Sequence, residues 1–166
     1  MNTTAAIATP PNYRNMALRY VLLGGFLAAL ADTIYPTVRA VMAGKSWMVP
    51  WKGVASGLLG KAAGEGGLEV VALGLLLHYF TCISAAAILY FIVSRVKWLP
   101  RQWPALACIH GLAVLLTMNY VIVPLSAIGR SVYPLETLHI QAFWHIVLVG
   151  LPTGYFVSRA LRLRGT

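Results

Sequence analysis

Residues 70–94 read VVALGLLLHYFTCISAAAILYFIVS, with Glu69 before them, Arg95 after them and no fixed charge between. At 1.5 Å per residue this run exceeds the ~30 Å of a bilayer's hydrocarbon core. Lipid offers the backbone no hydrogen-bond partners, so an apolar run of this length is a helix that satisfies its own amides.

Three more runs of the same kind flank it. They are YVLLGGFLAALADTIYPTV at 20–38, QWPALACIHGLAVLLTMNYVIVPLSAIG at 102–129 and TLHIQAFWHIVLVGLPTGYFVS at 137–158. The expected fold is all-α: a four-helix transmembrane bundle with spans near 18–39, 69–95, 103–128 and 137–159. Residues 16–164 form a single transmembrane domain, preceded by a flexible polar tail over 1–15. Composition agrees. Of 166 residues, 59% are apolar and 10% charged, against about a quarter charged in soluble domains. That excludes a disordered chain and leaves too little charge to coat a soluble globule. Two cysteines make no disulfide framework.

The basic residues set an orientation. Arg14, Arg19, Arg95, Lys97, Arg101, Arg159, Arg162 and Arg164 fall on one side; Arg39, Lys45, Lys52, Lys61 and Arg130 fall on the other. Eight against five puts both termini in the cytoplasm. The net charge of +9 is thus split between two membrane faces, where it meets lipid headgroups. A nucleic-acid surface needs that charge in one soluble patch, so no nucleic-acid partner is expected. Arg14 and Arg19 ahead of an apolar stretch ending Ala29-Leu30-Ala31 imitate a cleavable signal peptide. Apolar character resumes after Asp32 and reaches Val38, which favours a retained span.

The connection over 40–68 predicts one short amphipathic helix near 50–63. Pro50 suits a first helical position. Trp51, Val54, Ala55, Leu58, Leu59 and Ala62 recur on one side, and Lys52, Ser56 and Lys61 on the other. The pattern predicts an interfacial helix lying on the membrane surface, serving as an anchored connector or as a lid. Trp47 and Trp51, and Trp98 and Trp103 at the other end, suit the aromatic belts.

Ionisable groups inside a span are costly and usually face the bundle interior. Counted at 1.5 Å per residue from each run's midpoint, Asp32, His78, Asn119 and His145 all fall about 4–6 Å toward the outer side. Gln141, one turn from His145, and Tyr35, near one turn from Asp32, join this polar level. Asp32 shares its helix face with Gly25, Ala28 and Ala29, and His78 with Gly74, Thr81, Cys82 and Ala85. Such small residues let helices approach closely. His110 falls about 8 Å the other way, on the face opposite Asn119. His139 is interfacial, and Cys82 and Cys108 lie too far apart in depth for a disulfide.

Four readings of the polar level stay open. It is a hydrogen-bonded structural core, with Asp32 accepting from a histidine and Asn119 and Gln141 joining helices. It is a proton relay or permeation site using Asp32, His78 and His145, since imidazole changes charge near physiological pH. It is a metal site with His78, His145 and Asp32 as ligands. Or it holds a b-type haem between His78 and His145, on spans taken as diagonal in a cyclic bundle. No metal or cofactor is assigned. P-loop, G-x-S-x-G and H-E-x-x-H signatures are missing, and no enzyme activity is expected.

From His78 the order of features continues with a small-residue helix, a basic turn (Arg95, Lys97, Arg101), MNYVIVPLS at 118–126 and FWHIVLVG at 143–150. Over roughly residues 70–160 this resembles the YagU-like inner-membrane proteins of bacteria, a family without an established molecular activity. The resemblance implies a multi-pass protein of the bacterial inner membrane, linked to acid tolerance. The family pattern carries a histidine five residues before the Pro-Leu pair; here that position is Asn119, which removes a strong ligand. The expected function is proton-linked transport or acid response through the polar level. The alternatives are a non-catalytic accessory subunit and a haem protein. Beyond the lipid bilayer, the expected partners are further copies of the chain or a larger membrane complex.

Overall fold

The computed structural model describes residues 12–96, 102–130 and 133–163. All regular structure among them is helical. Helix α1 spans Tyr13–Met42, α2 Val49–Leu59, α3 Leu68–Arg95, α4 Trp103–Leu125 and α5 Leu135–Arg162; a 3-10 turn, Gly60–Gly64, extends α2. Helices α1, α3, α4 and α5 are each long and apolar enough to cross a membrane. Large apolar side chains such as Leu30, Leu76, Phe80, Ile88 and Leu116 point out of the bundle. In water such a surface would drive association; in lipid it is the expected exterior. Helix α1 already begins at Tyr13, inside the stretch read as a tail. Residues 1–11, Lys97, Trp98, Arg101 and Arg164 lie outside the described residues.

The helices alternate in direction. The start of α1, the end of α3, the start of α4 and the end of α5 share one end, called here the terminal end. The bundle is not the cyclic ring expected for a haem. Helix α1 packs between α3 and α5, and α4 packs mainly on α5. Small residues make these crossings close, as van der Waals packing in lipid requires. A Cβ on Gly25 would stand 2.7 Å from the Ile83 Cα, and one on Gly111 would stand 2.6 Å from the Ile146 Cα. Toward the terminal end the interior is mainly apolar, with Ser158 a buried polar exception beside Val157. Val21, Leu89, Val93, Leu106, Val157 and Leu161 form one buried cluster there.

Prolines shape two helices. A π turn at Met118–Ile122 precedes Pro124, and another at His145–Gly150 precedes Pro152. Proline has no N–H and crowds the carbonyl four residues back, and a widened turn relieves both problems. His110 and Asn119, nine residues apart on α4, are both buried, at 3% and 2% exposure. Gly111 sits against the His145 carbonyl oxygen, so His110 lies near the depth of His145 rather than a dozen ångströms below it.

Helix α2 and its 3-10 extension fall where the short amphipathic helix is expected, with part of the apolar stripe packed on the bundle. Trp51 and Ala55 are buried, while Leu58 on the same apolar stripe is 65% exposed. The backbone of Trp51 rests on α3 where a side chain at Gly74 would collide with it. The far end of α2 is tied to the loop after α4, where the Ala127 amide donates to the Gly57 carbonyl at 3.0 Å. Helix α2 thus bridges α3 and the end of α4 across the end opposite the termini.

Candidate functional site

Between the second half of α1, the start of α2 and the first half of α5 lies a cavity of about 280 Å³. Asp32, Tyr35, Gln141 and His145, four of the six residues singled out from sequence, line it. Pro36, Arg39, Lys45, Pro50, Tyr133 and Trp144 line it too.

Helix α1 supplies the acidic wall. Asp32, Tyr35 and Arg39 recur at three- and four-residue spacing and so share a face. The Arg39 Nη1 lies 3.5 Å from the Tyr35 hydroxyl, with its guanidinium over the ring. Pro36 has no amide hydrogen, so the Asp32 carbonyl loses its helical partner. Thr33 and Thr37 add helix-wall hydrogen bonds on either side of that gap, to the carbonyls of Ala29 and Thr33.

Helix α5 supplies the opposite wall. Tyr35 stacks on Trp144 with ring centroids 4.5 Å apart, joining the two walls. His145 Nδ1 lies 2.9 Å from the Gln141 carbonyl oxygen. A carbonyl only accepts, so Nδ1 carries the proton, and Nε2 offers a lone pair in the neutral form of the ring. The Gln141 side chain is buried, and its amide makes no hydrogen bond to other described residues.

Tyr133 closes the cavity from the loop between α4 and α5. Asn119 holds it there: the Tyr133 amide donates to Asn119 Oδ1 at 2.9 Å, and Asn119 Nδ2 donates to the Tyr133 carbonyl at 3.2 Å. Asn119 thus pins a loop, where an interhelical bond was one expectation. Burial pushes the Tyr133 phenol above its ordinary value; Asp32 and Tyr35 push it the same way, and Arg39 opposes them. The hydroxyl therefore keeps its proton and remains a donor on a residue that lines the cavity.

His78 stands behind the cavity, on α3. Its Nε2 is 3.1 Å from the Ala29 carbonyl oxygen and 3.9 Å from Asp32 Oδ2. The imidazole proton goes to that carbonyl, so Asp32 is near His78 without accepting its hydrogen bond. The buried Trp51 ring covers His78 with centroids 5.4 Å apart. At this level α1 stands between α3 and the His145 turn, so the two imidazoles lie on different sides of one helix. Among the described residues no three His, Cys, Asp or Glu side chains gather as a metal-ligand set.

Arg39, Lys45, Tyr133 and Trp144 were not singled out for the site. Arg39 and Lys45 fall where topology-setting charges are expected, which masked them. The usable signal was that Arg39 and Tyr35 repeat the helical face of Asp32, with proline four residues after the only acid well inside a span. Compared with known proteins, the chain matches no family model, no curated protein and no solved structure, so the site is read from its own residues.

Proposed function

We propose that this is a multi-pass protein of the bacterial inner membrane, with cytoplasmic termini, acting in proton-linked transport or acid response. The observation that carries the reading is the cavity that joins Asp32 to His145 at the end away from the termini. An intramembrane carboxylate beside an imidazole is the usual equipment of a proton pathway. The uncommitted Asp32 carboxylate takes up a proton, and the His145 Nε2 lone pair is the second acceptor. Tyr133 supplies a fixed donor. Beneath them the apolar cluster around Leu106 and Val157 seals the terminal end, so protons and solutes enter from the α2 side. Helix α2, seated on His78 through Trp51, is the element whose movement would open or close that side. The resemblance to YagU-like proteins supports the link to acid conditions.

The test is pH-driven flux in vesicles containing the purified chain. Asp32→Asn and His145→Ala should each reduce it to background while the helical spectrum is retained. No flux from the native chain would favour the accessory-subunit reading, which the purely structural bond between Asn119 and Tyr133 supports.

A further inference from the structure

The cavity holds both signs of charge without pairing them. Asp32 lies deep, with its side chain 20% exposed, while Arg39 and Lys45 are exposed at the rim. Among the described residues the only ion-pair distance is that between Asp32 and His78. Neither Arg39 nor Lys45 stands at ion-pair distance from the carboxylate, although all three residues line the cavity. A simple anion would meet Asp32, and a simple cation would meet Arg39 and Lys45. A ligand with a negative and a positive end satisfies all three.

We propose that the cavity binds a small zwitterion of the amino-acid type, its carboxylate held by Arg39 and Lys45 and its ammonium by Asp32. The proposal rests on the reading of this cavity as the functional site, and it names the solute. An ammonium has three donors to place. The Asp32 carboxylate supplies two acceptor oxygens and the His145 ring nitrogen Nε2, in the neutral form, a third; both residues line the cavity. The stacked Tyr35 and Trp144 rings add the aromatic surface to which cations are drawn. The volume of about 280 Å³ lies at the small end of the range for small-molecule sites.

The test uses the full chain in lipid nanodiscs, with tryptophan fluorescence as the readout and Trp144→Phe as the control that removes it. Each common amino acid is titrated at millimolar concentration. The best binder is then compared with its amide, which lacks the carboxylate, and its N-acetyl form, which lacks the ammonium. At least one amino acid should saturate, and both derivatives should bind at least about tenfold more weakly, because each loses one of the two charged contacts. Arg39→Gln should erase the preference over the amide, and Asp32→Asn the preference over the N-acetyl form. Lys45→Gln, on the exposed connection, should weaken carboxylate binding even if the Arg39 variant does not fold. Saturation by no amino acid, or equal binding of both derivatives, overturns the proposal. Zwitterion binding without pH-driven flux removes the proton coupling and leaves this site. Flux without zwitterion binding does the reverse.

Discussion

The two ends of the bundle are built on different rules. Toward the terminal end, Val21, Leu89, Val93, Leu106, Val157 and Leu161 close the space between α1, α3, α4 and α5 with apolar contact. Toward the other end, Asp32, Gln141 and His145 leave a cavity open, and a loop and a short helix cover it. The same helices run through both regions. The difference comes from where proline, glycine and polar side chains fall along them. Apolar packing dominates the closed end, so that end carries stability. The open end spends its polar groups on placing other groups, so that end carries specificity.

The largest contrast should come from one substitution at each end. Asp32→Asn should bring pH-driven flux to background and leave thermal stability near the native value, because the carboxylate holds no hydrogen bond that the fold needs. Leu106→Ala removes a side chain with no exposed surface. It should cost about 2–5 kcal/mol in a denaturation series in lipid, while the folded fraction keeps its flux. If Asp32→Asn destabilises the bundle as much as Leu106→Ala does, the division of labour fails.

The closed end was far more legible in sequence than the open one. Four charge-bracketed apolar runs are enough to state four helices, because lipid leaves the backbone no alternative. Asp32 was legible as the acid well inside a span. The cavity's other half was not. Arg39 and Lys45 read as topology signals, since a basic residue at a span end has that meaning whether or not it also faces a cavity. Tyr133 sits in a loop whose position depends on Asn119, a contact across fourteen residues that no periodicity reports. Depth counting failed at His110 because the midpoints of the third and fourth runs do not share one level: Gly111 packs on the Ile146 backbone. The lateral order was also hidden: nothing in the four runs says that α1 separates α3 from the His145 turn.

A middle-sized effect is expected where the open end is held together. Asn119→Ala removes both hydrogen bonds to the Tyr133 backbone and leaves a buried amide and carbonyl unpaired. A loss of about 1–3 kcal/mol is expected. Hydrogen exchange should rise first in the loop before α5 and leave the Leu106 region protected. Uniform exchange along the chain would show that the two ends unfold as one unit and would blunt the comparison. Gly74→Val acts on the other cover. It should push the Trp51 backbone off α3, expose His78 and speed reaction of a cysteine placed at position 55. No change in that rate would mean that α2 is held by its bond to the Ala127 amide alone.

The smallest effect concerns the Tyr133 phenol, whose value burial raises, with Asp32 and Tyr35 adding to the rise and Arg39 opposing it. The folded state therefore favours the protonated phenol more than the unfolded state does. Its contribution to stability is fully present below the ordinary tyrosine value of about 10 and is lost as pH rises toward and through the raised folded value. Above about pH 10 the native chain should lose stability more steeply than Tyr133→Phe, which has no phenol to ionise. Lysine and arginine titration affects both proteins alike, so the difference in slope isolates this hydroxyl. At the apolar end Tyr20 and Tyr90 pack against the cluster, and replacing Val157 or Leu106 leaves both phenols in place. A matching slope change from Val157→Ala would mean that alkaline loss spreads through the whole bundle, rather than starting at the cavity that Tyr133 closes.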